Sequence, residues 1–323
     1  MRNIRYADAI NEAHRQMLEE YTDSLLIGQG LDSPWSVGTS TLGLTEKFED
    51  RVIDTPIAEN GITGVAVGAA LAGIRAVVVH PRMDFMYLAM DQILNHAANW
   101  YYMFGGMVNC PVTVRGIINR GNEQAAQHSQ SLQSMFMHVP GLKVVMPSTP
   151  YDAKGLLIAC VRDPNPTLYI DDRWLYSHEA DVPEEPYEVP IGKGVVRREG
   201  SDVSIVSMSF MATEAEKAAA ELAKNGVSAE VIDLRSLKPM DKEIILKSVK
   251  KTGRLVVADG VWKTGGVGAE VAAVVAESDV VKSLEAPIQR VSLPDTPTPS
   301  STPLENEFFK TSEDIIKAVN KVM

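Results

Sequence analysis

Short apolar runs alternate with longer segments of helical period from one end of the chain to the other. That alternation predicts parallel sheets covered by helices on both faces. In the first half, Leu25 to Ile27, Ala76 to Val79, Val112 to Val114, Val144 to Met146 and Leu168 to Ile170 read as strands. Helices are predicted between them. One starts at Glu59 and runs toward Ala72. Another spans Asp84 to Met103, with Phe85, Leu88, Ile93, Ala97 and Tyr101 as apolar positions, and a third opens at Ser148-Thr149-Pro150 with proline near its first turn.

From Glu179 to Pro190 the periodicity stops and acidic and proline residues take over, which predicts an interdomain linker. The alternation then resumes with strands at 203–208, 229–234 and 255–258 and helices at 213–224, at 241–250 and after Gly268. An irregular loop rich in proline, serine and threonine is predicted from Pro294 to Pro303, and a short terminal helix from Ser312. The expected division is a first domain over 1–180, a linker over 181–190 and a second domain over 191–323.

The 323 residues suffice for two domains with real cores, and 45% hydrophobic with 23% charged residues describes a globular chain. A net charge of −11 and a pI near 5.1 argue against nucleic acid or an anionic membrane surface as partner. Met1 to Tyr6 lacks the apolar core of a signal peptide, and no later stretch has the uninterrupted apolar length of a membrane span, so a cytoplasmic chain is expected. Cys110 and Cys160 offer neither a disulfide framework nor zinc-ligand spacing and read as buried small hydrophobes.

Candidate chemistry centres on Asp54-Thr-Pro-Ile-Ala-Glu59-Asn-Gly-Ile-Thr-Gly64, which sets one carboxylate at the start of a glycine-lined helix. Gly61, Gly64, Gly68 and Ala72 share a face that lets another backbone approach closely. The rest of the helix is apolar all round, which predicts an interior helix and a dry environment for Glu59. The alternative is a helix N-terminal carboxylate that complements the backbone dipole.

These motifs, with Asp84-Phe85, Met90-Asp-Gln-Ile93, Ala126-Gln-His-Ser-Gln130, the run from His138 to Gly155, Asp233 to Pro239 and Thr264-Gly-Gly-Val-Gly268, stand in a recognisable order. The chain resembles the beta subunit of the thiamine-diphosphate-dependent 2-oxo-acid dehydrogenases. These are relatives of transketolase that include the pyruvate, branched-chain and acetoin dehydrogenase first components. The resemblance implies an α/β fold of two doubly wound domains, a transketolase-like pyrimidine-binding domain followed by a transketolase C-terminal-like domain.

It also implies roles. Glu59 matches the carboxyl group that hydrogen-bonds the cofactor's aminopyrimidine and shuttles the proton needed to activate thiamine. Phe85 matches the aromatic packed on that ring, and Ile57 the apolar wall beside it; read without the resemblance, both are core packing. His128 corresponds to a histidine near the substrate and acyl path. The other histidines, His14, His80, His96, His138 and His178, read as structural or surface residues. Val112, Cys160, Asp163 and Asn165 match the region where family members hold potassium, largely through backbone carbonyls.

The family's magnesium is held by a Gly-Asp-Gly motif followed by an asparagine, and this chain has no such motif. The resemblance therefore implies an alpha subunit that brings magnesium and the diphosphate half of the site, in a heterotetramer of two alpha and two beta chains, and an acyltransferase core carrying the lipoyl arm. Asp259 to Gly268 lacks the order of a dinucleotide loop. Where the family has an acidic residue after Gly28, this chain has Gln29, and polar residues from Asn119 to Gln124 and at His80-Pro-Arg82 depart as well. A substrate more polar than pyruvate is one reading of these departures. Two other functions fit the same motifs: a split transketolase-like carboligase or ketol transferase subunit, and a non-catalytic assembly subunit.

Overall fold

In the computed structural model, which describes residues 1–323, contacts divide the chain into two units. One contains residues 1–119 and 135–191, the other 120–134 and 192–323.

The first unit is built on parallel strands β1 (Ser24–Gly28), β2 (Val52–Asp54), β3 (Arg75–His80), β4 (Val112–Ile118), β5 (Lys143–Val145) and β6 (Thr167–Asp172). Their order is β5-β6-β4-β3-β1-β2. Each strand predicted for this half is present, and every residue of β4 and β6 is buried, as expected of a sheet covered on both faces. Helices α1 (Tyr6–Glu20), α2 (Glu59–Leu71) and α3 (Pro150–Arg162) pack on it. The chain passes from β1 outward to β2 and then back to β3 on the other side of β1. The crevice at the carboxyl ends of β1 and β3 is thus a topological switch point, where open α/β sheets bind ligands.

Two expectations for this unit are corrected. The segment 84–103 is not one α-helix but a 3-10 turn (Met83–Ala89), a π-helical stretch (Asp91–Ala97) and a short α-helix (Ala98–Met103). Met83, Met86 and Ala89 are all fully buried, and a 3-10 helix brings residues three apart onto one line, so the wider pitch gives way to that burial. The stretch 181–190 belongs to the first unit instead of linking two domains. Glu179–Val182 pairs antiparallel with Arg2–Arg5, and the fully buried Lys154 holds the carbonyl oxygens of Pro183, Glu184 and Glu185 at 2.7, 2.8 and 3.1 Å while pairing with Glu12 at 2.5 Å. One buried ammonium thus orders an acidic, proline-rich segment that looks structureless in sequence.

The second unit carries β7 (Val195–Arg198), β8 (Val203–Ser207), β9 (Ala229–Asp233), β10 (Leu255–Trp262) and β11 (Gln289–Leu293), in the order β11-β10-β8-β9-β7 with only β7 antiparallel. Helices α4 (Phe210–Lys224), α5 (Lys242–Thr252), α6 (Val267–Ala276) and α7 (Ser312–Val319) surround the sheet. Asp241 caps α5 by accepting from the Ile244 amide at 3.3 Å, and Gly253, at φ 67°, ends it. Val203, Ile205, Val231, Val256, Ala215, Leu222, Ile315 and Val319 belong to one core beneath α4 and α7. The predicted irregular loop gives way early, because a short helix (Thr302–Phe308) begins with Pro303 in its first turn. Residues 120–134, expected in the first domain, belong to this second unit.

Candidate active site

Three backbone anchors deliver Glu59 to the switch point. The Thr55 amide and hydroxyl both donate to the Gly28 carbonyl, at 2.9 and 3.1 Å, and the Leu31 amide donates to Asp54 Oδ1 at 3.2 Å. The segment leading into α2 is therefore tied to the end of β1. Gly28 permits the close pairing there, since a Cβ would lie 2.7 Å from the Val79 carbonyl oxygen. Glu59 then occupies the first turn of α2 with only 6% of its surface exposed.

The side chain is largely buried, but its carboxylate oxygens are not sealed from solvent and make no hydrogen bond or ion pair within the chain, which leaves them open to a ligand donor. Phe85, on the 3-10 turn that packs against α2, is 36% exposed, and Ile57 just before the helix is 81% exposed. Gln29 follows β1 directly, and its Nε2 is buried without a partner. The first unit thus brings Gln29, Ile57, Glu59 and Phe85 to one edge of one sheet, with an unpaired acid, an unpaired amide donor and two apolar surfaces. A flat nitrogen heterocycle presenting both a donor and apolar faces fits this set of groups.

The predicted interior placement of α2 needs correction. One side of the helix is open: Gly61, Gly68 and Ala72 are exposed, Val65 is 56% exposed, and a Cβ on Gly68 would meet nothing within 4 Å. On the opposite side Ile62, Thr63, Ala66 and Val67 are buried. Behind Glu59, the Thr63 hydroxyl donates to the Glu59 carbonyl at 2.7 Å and lies 3.0 Å from His80 Nε2. His80 is fully buried at the end of β3, and burial lowers its pKa to about 4, so the ring is neutral at physiological pH. The sequence reading grouped His80 with structural or surface histidines. Its position as the last residue of an apolar parallel strand was the available signal.

His128 lies in the second unit, half-buried on a stretch whose backbone takes positive φ at Asn122, Glu123 and Ala125. Both ends of this stretch are fastened. Glu123 Oε1 accepts from the Thr302 amide and hydroxyl at 3.2 and 2.9 Å, its own amide donates to Glu305 Oε2 at 3.1 Å, and the Arg120 guanidinium donates to Ser131 Oγ at 3.2 Å. Ala126 and Gln130, on either side of His128, line a cleft of about 630 Å³ with Trp262, Thr264, Asp295, Thr296 and Pro297.

The four residues matched to a potassium region lie around the end of α3. Val112 and Cys160 are buried, and burial pushes the Cys160 thiol up to about 12, which keeps it neutral. Asp163 is ion-paired with Lys143 and accepts from the Asn165 amide at 2.9 Å. Asn165 Oδ1 is buried with no partner, whereas the nearby carbonyls of Val161 and Arg162 are already taken by Arg75. Neither here nor elsewhere in the chain do three histidine, cysteine or acidic side chains cluster to suit a metal ion.

Both units match known protein families. The family model described as transketolase, pyrimidine binding domain, matches residues 2–177, and the one described as transketolase, C-terminal domain, matches residues 192–315. A solved chain titled split gene transketolase, inactive beta4 tetramer, shares the fold with a TM-score of 0.80 at 24% identity, covering 99% of this chain and 98% of that one. The acetoin:2,6-dichlorophenolindophenol oxidoreductase subunit beta of Cupriavidus necator is 41% identical over 98% of this chain and 96% of its own length. The pyruvate dehydrogenase E1 component subunit beta of Bacillus subtilis is 40% identical over 100% of this chain and 99% of its own. The chain belongs to the transketolase-like family, in the branch that holds the beta subunits of the dehydrogenase first components. No helix is long and apolar enough to cross a membrane.

Proposed function

We propose that this chain is the beta subunit of a thiamine-diphosphate-dependent 2-oxo-acid dehydrogenase, acting with an alpha subunit to decarboxylate a 2-oxo acid and pass the acyl group to lipoamide. The observation that supports the reading is Glu59, on a largely buried first turn of α2 that is tied to the ends of β1 and β3, with its carboxylate free of partners within the chain. Bound thiamine diphosphate would supply a nucleophilic carbon and a sink for the electron pair left by decarboxylation. Glu59 would hold the pyrimidine and move a proton between its own carboxylate oxygen and the ring nitrogen. Phe85 and Ile57 would cover the ring and keep water away. Gln29 Nε2 offers a neutral donor on the same edge. His128 would serve the substrate side, as a donor to developing negative charge.

The same reading assigns magnesium and the diphosphate contacts to the alpha subunit, since this chain contains no Gly-Asp-Gly motif. It assigns a potassium ion to main-chain oxygens around Val112, Cys160 and Asp163, where the unpaired Asn165 Oδ1 supports it. Two alpha and two beta chains would form the working unit, docked to a lipoyl acyltransferase core. The proposed domain limits remain 1–180 and 191–323 as evolutionary modules, although 120–134 and 181–190 pack otherwise.

The test is reduction of an artificial electron acceptor by this chain alone, by its alpha partner alone and by the mixture, with pyruvate, branched-chain and polar oxo acids and acetoin. Activity is expected only in the mixture, dependent on thiamine diphosphate and magnesium, and lowered about 100-fold or more by Glu59→Gln. Full activity in Glu59→Gln would remove the assignment. Turnover of acetoin without any oxo acid would replace the substrate, and an absolute need for an aldehyde acceptor would point to ketol transfer.

A further inference from the structure

Thr63 and His80 lie on different elements, and neither contains an ionised group that would explain their pairing as a salt bridge. Both are fully buried. The Thr63 hydroxyl has one proton, and the 2.7 Å contact with the Glu59 carbonyl oxygen, which can only accept, uses it. The 3.0 Å contact with His80 must therefore run the other way, with Nε2–H donating to Thr63 Oγ1. His80 is fixed as the Nε2–H tautomer. Its Nδ1 is then a bare acceptor, consistent with its burial without a partner, because an orphaned lone pair is tolerated more often than an orphaned N–H.

We propose that His80 and Thr63 are positioning residues for Glu59. They form a directed relay, His80 Nε2–H to Thr63 Oγ1–H to the Glu59 carbonyl, that locks the first turn of α2 to the end of β3. The inference deepens the proposed function, since it rests on Glu59 being the group that handles the pyrimidine proton. Ala58, at the cap position, has no side-chain acceptor for the first-turn amides. Thr63 holds the Glu59 carbonyl from inside the helix, and His80 prevents the hydroxyl from rotating away. The neutral ring adds no charge to compete for the Glu59 carboxylate. A lysine or arginine there would supply one.

The experiment uses the complex with the alpha partner and the variants Thr63→Val, Thr63→Ser, His80→Leu and His80→Gln. Thr63→Val keeps the shape and loses the hydroxyl, Thr63→Ser restores the hydroxyl, and His80→Gln restores an N–H donor. The expected result is a kcat about 10-fold lower and thiamine diphosphate binding about 5-fold weaker by calorimetry in Thr63→Val and His80→Leu, with KM for the oxo acid unchanged. Amide exchange in the first turn of α2 should quicken in the same two variants. Thr63→Ser and His80→Gln should return all three readouts to within about twofold of the parent. Wild-type kcat, cofactor affinity and exchange in Thr63→Val would overturn the proposal, as would failure of Thr63→Ser to rescue. If Thr63→Val behaves as wild type while Glu59→Gln is inactive, the relay fails and the proposed function stands. If Glu59→Gln is fully active, both fall together.

Discussion

Asp259 and Arg115 are buried charges with opposite energetic consequences. Asp259 is fully buried on β10, and loss of water raises its pKa to about 6 although the Gly268 and Val267 amides, Arg120 and Gln133 all favour the charged form. The folded value lies above the ordinary 3.8, so the stability that this proton confers is present below about pH 4 and is lost as pH rises through 6. The gap corresponds to about 3 kcal/mol, and Asp259→Asn should remove that much of the difference between urea denaturation at pH 4 and at pH 7. Arg115 is held by Asp171 through two bonds of 3.0 and 2.9 Å and by the Tyr176 hydroxyl at 2.9 Å, with no exposure of either charged partner. Asp171→Asn should therefore cost about 3–5 kcal/mol in chemical denaturation, by leaving a guanidinium uncompensated in the core, whereas Tyr176→Phe should cost about 1 kcal/mol. Of the site residues, the burial of the Glu59 side chain was legible from the apolar run that follows it, but the exposure of its neighbours Ile57, Asn60 and Gly61 was not. The part played by His80 was not, because a single histidine in a strand carries no mark of which hydroxyl it will meet.

At the scale of elements, α2 is apolar around its whole circumference yet open along Gly61, Gly68 and Ala72. Helical period reveals that a face is apolar or small; it does not say whether the same chain covers it. Gly68→Ala should stabilise the isolated chain by about 0.5–1 kcal/mol, because the added methyl meets nothing and the helix gains propensity. The bulkier Gly68→Leu should leave the chain folded by circular dichroism and weaken alpha–beta association in analytical ultracentrifugation, if the open face is where the partner backbone approaches. The segment after Arg82 illustrates the opposite limit. Its apolar residues suit an α-helix, but burial of Met83, Met86 and Ala89 in one line selects the 3-10 form, which leaves Phe85 partly exposed. The Glu179–Val182 strand and the ordered turn after it exist because of Arg2–Arg5 and Lys154, which lie far away in sequence.

At the scale of the whole molecule, the chain matches the transketolase pyrimidine-binding and C-terminal domains and contains no Gly-Asp-Gly motif, so the proposed function needs a partner for the diphosphate half. Adding alpha partner to a fixed amount of this chain should raise oxo-acid-dependent activity to a plateau at one partner per chain. A plateau well short of that ratio, or activity with no partner, would contradict the shared site. The sequence by itself determined the α/β class and the central strands of both sheets, because these follow from local period and apolar runs, but not the edge strands Val52–Asp54, Val195–Arg198 and Gln289–Leu293. Only the tertiary structure decided that 120–134 packs with the second unit, that the acidic stretch after Glu179 belongs to the first, and that His80 reaches Thr63. These are contacts between residues distant along the chain, set by packing and by the need to satisfy buried polar groups, and no local pattern encodes the partner in advance.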